Sequence, residues 1–379
     1  MRHITITDMR VRIINVPVQA THSHGSGDVS AICSVVLELT ADSGHTGWGE
    51  ASPWPVFTGT TEASAAALNT HLRPHIIGAN ALRREQIMAT ADRIVVRCSE
   101  AKAALEMALL DVVGKTLGLS AGQLIGGRRR DSVPVSFTVA NPVFEEDMEI
   151  IAHLYGNGVR IFKLKTGFHD HAFDIMRLEK IRETYGDGVD LRIDYNQGLK
   201  AVDAIRTLRD MEPFRLGFIE QPTPRDNLEA MAAISAAIDT PLMADESVFN
   251  PREALVAVQM RLADIFSLKV MKSGGIARAQ EIAAIAGAAG VGVYGGCMFE
   301  TGLAHLAGAH LVSTLPEIDL GCEFYMPSFY AKDDILAEPF PIRNGSVHIP
   351  EKPGLGMEID TDKLEKYTVE TLPAPGPAF

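Results

Sequence analysis

Apolar and polar residues alternate from Ile4 to Val16, the two-residue period of a strand with one buried face. A run rich in Gly, His and Ser (THSHGSGDVS, 21–30) reads as a loop. A second strand-like run follows at SVVLELTA (34–41), then a turn-and-strand pair at DSGHTGWGE (42–50). The period then changes: EAKAALEMALLDVVGKTLGL (100–119) carries apolar residues at helical spacing and closes on Gly118, and AGQLIGG (121–127) closes a short helical piece. A meander followed by helices predicts an α+β domain over residues 1–125.

From Ser132 onward strand and helix patterns take turns. Short apolar or β-branched runs occur at VPVSFTVA, IFKLK, LRID, GFIE, PLMAD, IFSLK, VGVYGG and IDLGCEF, separated by segments such as AFDIMRLEKIRE and REALVAVQMRLA that fit helices. Lys165, Asp194, Glu220, Asp245, Lys269 and Glu323 close six of these runs, and the steps from Lys165 to Lys269 are 29, 26, 25 and 24 residues. A nearly constant stride returns the chain to the same rim after each strand and helix, so the fold class is α/β: a modified, TIM-like (β/α)8 barrel over 126–340, capped by the N-terminal α+β domain. An open doubly wound sheet is the alternative, but no Gly-x-Gly-x-x-Gly follows any strand. The segment 341–379 leaves the pattern, with a strand-like GSVHIP, a PGLG turn and a PAPGPAF end expected to fray; it is expected to pack back on the first domain.

Composition narrows the function. The 379 residues are 46% hydrophobic and 22% charged, which excludes disorder across the whole length, and 35 basic against 48 acidic residues give a net charge of −13. A field that attracts nucleic acid or anionic lipid is absent. Cys33, Cys98, Cys297 and Cys322 form no Cys-x-x-Cys pair, so a zinc ribbon or disulfide scaffold does not fit and a cytoplasmic location is the expectation. Ile282 to Phe299 is long and uncharged enough to suggest a membrane span, but five glycines break it into helix, turn and short strand.

The strand ends carry the chemistry. Lys163 and Lys165 share one face of their strand while Phe162 and Leu164 share the other, so in a barrel both lysines point to the lumen. A lysine held near another cation and partly desolvated has its pKa pushed down, towards proton exchange at neutral pH. Asp194, Glu220 and Asp245 end three consecutive strands, and three convergent carboxylates repel one another unless a cation sits between them. All-oxygen ligation suits Mg²⁺ or Mn²⁺ rather than zinc. Lys269 and Ser267 face inward on the sixth strand, across the barrel from the second, whereas Lys272 falls in a Gly-Gly loop and reads as a solvated surface residue. Such a mouth can bind a substrate carboxylate at the metal and move the proton on the adjacent carbon with a lysine.

These motifs resemble the enolase superfamily, and within it the muconate lactonizing enzyme subgroup. The likeness spans nearly the whole chain: WGE, LLDVVGKTLGL, KLK, DYN, IEQP, ADES, LKVMKSGG, YGGCMFETG, CEF and PGLG. It implies Asp194, Glu220 and Asp245 as metal ligands, Lys165 as acid/base, Lys163 as its pKa-lowering neighbour and Lys269 as the lysine on the opposite face. It further implies Glu323 as an active-site glutamate, and His22, His24, Trp54, Phe57, Asn196 and Glu300 as substrate contacts, the first four on capping-domain loops. The expected activity is cycloisomerisation of a cis,cis-muconate-type dicarboxylate. The alternative is a racemase or epimerase of an N-acylated, dipeptide or proline-type amino acid, working through Lys165 and Lys269. Dipeptide epimerases carry Asp-x-Asp near the eighth strand, which is absent here and weighs against that version. The partners implied are a small carboxylate substrate and further copies of the chain in a homo-oligomer, with no nucleic acid and no membrane. A barrel that has lost catalysis fits poorly, because burying these acids and lysines without a metal is costly.

Overall fold

The N-terminal alternation becomes a long antiparallel hairpin. Strand β1 (Ile6–His24) pairs with β2 (Gly27–Ala41) from Ile6↔Ala41 to His24↔Gly27, with irregularities between Ile6 and Asp8 and between Pro17 and His22. The structure is a computed structural model that describes residues 3–24, 27–141 and 143–374, without the side chains of 20–28. The run expected to be a loop is therefore strand at 21–24 and 27–30, because the cross-strand pairs His22↔Val29 and Ser23↔Asp28 continue the ladder towards the tip.

Strand β3 (Thr46–Ala51) extends this sheet on the β2 side. The helix Ser99–Leu117 lies against β3 at unusually close range, since Cβ atoms on Gly47 and Gly49 would stand 2.2 and 1.9 Å from the carbonyl oxygens of Ala108 and Ala104. Its other side meets the barrel turn Val270–Ser273, so every residue from Glu100 to Gly114 is buried. Gly118, with φ +72°, ends the helix in the left-handed conformation, as its position in the sequence suggests.

The run VPVSFTVA was expected to form one strand and forms two. Strand β4 (Ser132–Pro134) belongs to a small antiparallel sheet, and only β5 (Ser136–Val139) enters the barrel. Strands β6 (Ile161–Lys165), β7 (Asp190–Asp194), β8 (Ile219–Glu220), β9 (Leu242–Ala244), β10 (Ile265–Leu268) and β11 (Gly292–Gly295) follow in sequence order as a parallel sheet. Helices such as His171–Tyr185, Pro251–Met260 and Ile276–Ala289 connect them. The eighth strand expected at IDLGCEF shrinks to one residue: Cys322 makes parallel bridges to Val135 and to Gly295, joining the first strand to the seventh. Gly321, at φ +80°, turns the chain immediately before it, so no longer extended run can form. The barrel is nonetheless closed by backbone, with Ser136 N–H donating to Cys322 O at 2.7 Å and Glu323 N–H to Gly295 O at 2.8 Å.

The tail packs back, and onto both halves. β12 (Ile342–Arg343) and β13 (Ser346–His348) form a hairpin on β4, while β14 (Thr368–Thr371) adds an edge strand to β1. The PAPGPAF end falls partly outside the described residues. Among the described residues, no helix is long and apolar enough to cross a membrane.

Candidate active site

Residues paired across parallel strands face the same side of a sheet, so register alone assembles the site. Lys165, Asp194 and Glu220 form one row across β6, β7 and β8, above the row Thr138, Lys163 and Arg192. Asp245 and Lys269 sit one residue beyond β9 and β10, and Glu323 follows the closing Cys322. Lys165 Nζ donates to Asp194 Oδ2 and Asn196 Oδ1, both at 2.6 Å. Lys163 is in contact with Glu220, lies 2.6 Å from Glu323 and 3.6 Å from Asp194. Lys269 meets Asp245 at 2.6 Å. Three strands lie between β6 and β10 in either direction around the closed barrel, so Lys165 and Lys269 come from opposite walls of one cavity. Gly296 makes room for the second of them: a Cβ there would stand 2.9 Å from the Lys269 stem.

The structure corrects Lys272. It is buried, not solvated, and its ammonium donates to Asp245 Oδ1 at 2.8 Å, to Asp245 O at 2.7 Å and to Ser267 O at 2.8 Å. The turn Val270–Ser273 folds the chain under the mouth, where those acceptors satisfy all three donors. Glu300 is likewise not a cavity residue; it turns away, with Oε2 3.1 Å from Nδ1 of the buried His305. Trp54, Phe57 and Asn196 do line the cavity, beside Thr138, Cys297, Met298, Phe299 and Tyr325, and Lys269 Nζ lies 4.8 Å from the centre of the Phe57 ring. The side chains of His22 and His24 lie outside the described residues.

Charge is unevenly balanced here. The Asp194 and Asp245 carboxyls are buried, yet the neighbouring ammonium groups, Lys165 for one and Lys269 for the other, hold both below the usual carboxylate range. Burial and the charge of Asp194 instead push Glu220 well above that range, with Lys163 unable to compensate. Burial also opposes the charges on Lys163 and Lys269, but Glu220 and Glu323 around the one and Asp245 beside the other outweigh it, and both ammonium groups are held above their ordinary value. Lys163 is thus tied to carboxylates of its own, Glu220 and Glu323.

Sequence reasoning passed over Glu246. It is buried, accepts from Asn196 Nδ2 and Gln197 Nε2 at 3.3 Å each, and is pushed up to about 7 by burial and the Asp245 charge. The acid pair in ADES was the available signal. Among the described residues, no three His, Cys, Asp or Glu side chains are gathered as a finished metal cage, and Lys165 and Lys269 are ion-paired to Asp194 and Asp245. The donor set fits a hard divalent cation all the same. Three buried carboxylates on adjacent strands crowd one another, and Glu220 Oε1 is buried with no hydrogen-bond partner.

Residues 4–126 match the mandelate racemase/muconate lactonizing enzyme N-terminal domain, and 148–363 match the enolase C-terminal domain-like family. The chain belongs to the enolase superfamily, in its muconate lactonizing enzyme subgroup. A structure of a muconate cycloisomerase from Azorhizobium caulinodans is 42% identical, with a TM-score of 0.87 over 98% of this chain and 100% of that one. The muconate lactonizing enzyme of Pseudomonas fluorescens, solved with muconolactone, is 31% identical with a TM-score of 0.93, covering 97% of this chain and 100% of that one. An L-Ala-D/L-Glu epimerase from Bacillus subtilis is 37% identical over 86% of this chain and 88% of its own. This superfamily member is an enzyme of the muconate cycloisomerase-like type, and its barrel is the TIM barrel of those structures.

Proposed function

We propose that the enzyme is a metal-dependent cycloisomerase of a cis,cis-muconate-type dicarboxylate, with Asp194, Glu220 and Asp245 holding Mg²⁺ or Mn²⁺. The observation that supports this reading is the likeness to muconate cycloisomerases over 97–98% of the chain, and the placement of Lys165 and Lys269 on opposite walls of one cavity, on either side of the three acids, fits it. When bound, the metal supplies Lewis-acid stabilisation of negative charge on a substrate carboxylate. The chain's own residues do the rest. The cavity holds the diacid so that an oxygen of its far carboxylate bonds to the carbon β to the near one, and the π electrons of that double bond pass to the near carboxyl as an enolate. Lys165 Nζ, oriented by Asp194 and Asn196, gives its proton to the α carbon, which consumes the enolate and leaves the lactone. Lys269 stays charged, and its ammonium steadies the enolate from the opposite wall.

A second reading has support from the 37%-identical epimerase: Lys165 removes the α proton of an amino acid derivative and Lys269 returns one from the other face. A panel assay separates the two. The first reading expects loss of muconate ultraviolet absorbance with Mg²⁺ or Mn²⁺ and none after chelation. No muconate turnover, with exchange of the α proton and change of optical rotation in dipeptides or N-acylated or proline-type amino acids, establishes the second instead.

A further inference from the structure

Glu50 ends the WGE motif on β3, in the domain that carries none of the proton chemistry, and it is fully buried. Its carboxylate reaches across the domain boundary. Oε1 accepts from Ser34 Oγ at 2.7 Å, Ser52 Oγ at 2.9 Å and Thr301 N–H at 3.0 Å, while Oε2 accepts from Thr301 Oγ1 at 2.5 Å and Ala304 N–H at 3.1 Å. Thr301 is the N-cap of the helix Gly302–Thr314, so the buried Glu50 carboxyl sits at the positive end of that helix dipole.

The residues between this anchor and the barrel form a wall of the active-site cavity: Cys297, Met298 and Phe299. At their other end, Gly296 N–H donates to Leu268 O at 3.0 Å, beside Lys269. The wall is therefore pinned once by the barrel and once by Glu50. Phe299 meets Trp54 edge-on at 5.5 Å and Tyr330 at 5.8 Å, so displacement of the segment would move the aromatic lining as well. We propose that Glu50 is a positioning residue that sets the 297–299 wall and hence the fit of the substrate, without touching the reacting atoms. This rests on the reading of the cavity as the active site given above.

Glu50→Gln keeps the volume but turns one acceptor into an amide NH2 facing N–H and O–H donors. For whichever panel substrate the wild type turns over, KM is expected to rise about tenfold while kcat stays within about threefold, the pattern of lost binding that is equal in ground and transition states. Hydrogen exchange of the segment 296–304 is expected to quicken. Thr301→Val should shift both in the same direction by less, and Thr301→Ser, which restores the hydroxyl, should behave as wild type. A folded Glu50→Gln with unchanged KM and unchanged exchange overturns the proposal, as does a fall in kcat at constant KM. If Glu50→Gln does not fold, the two Thr301 variants decide, and equal KM values for Val and Ser overturn it. Exchange is read without substrate. A wrong assignment of the reaction would leave the quickened exchange in place, whereas a wrong role for Glu50 would leave exchange unaltered beside intact turnover.

Discussion

Glu50 of the capping domain and Glu220 of the barrel are both buried carboxylates, held in different ways. Glu50 is held by neutral donors fixed in place, five hydrogen bonds to two oxygens, although the buried Asp334 shares the same helix start. Glu220 is equally buried but stands between Asp194 and Asp245, and one of its oxygens has no hydrogen-bond partner. A buried acid whose lone pairs are filled by fixed donors holds a structure together. A buried acid crowded by others is held in an unfavourable state that a cation relieves, and such poise marks a working site rather than a structural one. Asp147 is intermediate: Oδ1 accepts from Asn141 N–H at 3.1 Å while Oδ2 has no partner, and burial pushes the group up to about 7.

The largest test of this contrast is Lys165→Ala. Turnover should fall by about 10²–10⁴-fold, the usual share of a positioned acid or base; steady-state kinetics on protein that a melting curve shows to be folded checks it. Wild-type turnover in that variant would break the assignment of the mouth as the reactive region.

The second test compares the two acids directly. In chelated protein, Glu220→Gln removes the repulsion from Asp194 while Lys163 keeps Glu323, so it should cost less unfolding free energy than Glu50→Gln. Glu50→Gln should cost about 1–3 kcal/mol, because buried donors lose their acceptor. Adding Mg²⁺ should raise the midpoint of wild type but not of Glu220→Gln. Equal losses for the two variants in urea titrations would erase the distinction.

The smallest effect is in pH. A carboxyl raised on folding leaves the native state binding more protons than the unfolded state between pH about 4 and about 7, so Asp147 lowers stability as pH rises through that window. His310 acts in the opposite sense. Burial pushes it down to about 4, so it adds stability as pH rises from about 4 towards 6.5. Asp147→Asn should therefore make stability climb more steeply between those limits, and an unchanged urea midpoint against pH would show that Asp147 is not the half-satisfied group described.

The features legible from the chain are those fixed by local period. The lysines of KLK were placed in the lumen by the two-residue alternation, and the acids by a stride of 24 to 29 residues that returns each strand to the same rim. Lys272 misled because a Gly-Gly sequence marks a turn equally well at the surface or folded beneath a barrel mouth; its charged acceptor, Asp245, lies 27 residues earlier in the chain. Glu300 misled because a residue next to a helix cap can face either side, and His305 one turn along that helix draws it away. The split of VPVSFTVA between two sheets was hidden for a related reason: β13, which claims β4, lies more than 200 residues downstream.

The sequence by itself determined the family through the resemblance of its motifs, and the barrel, the rim on which the chemistry sits and most of the residues that line up there through alternation and stride, which follow from the backbone geometry of strands and helices. Tertiary structure decided which charge answers which: Lys163 to Glu220 and Glu323, Lys272 to Asp245, Glu50 to the start of a helix in the other domain. Those pairings depend on distance through space in a low-dielectric interior, where a few ångströms set both the sign and the size of the interaction, and no spacing along the chain encodes that distance.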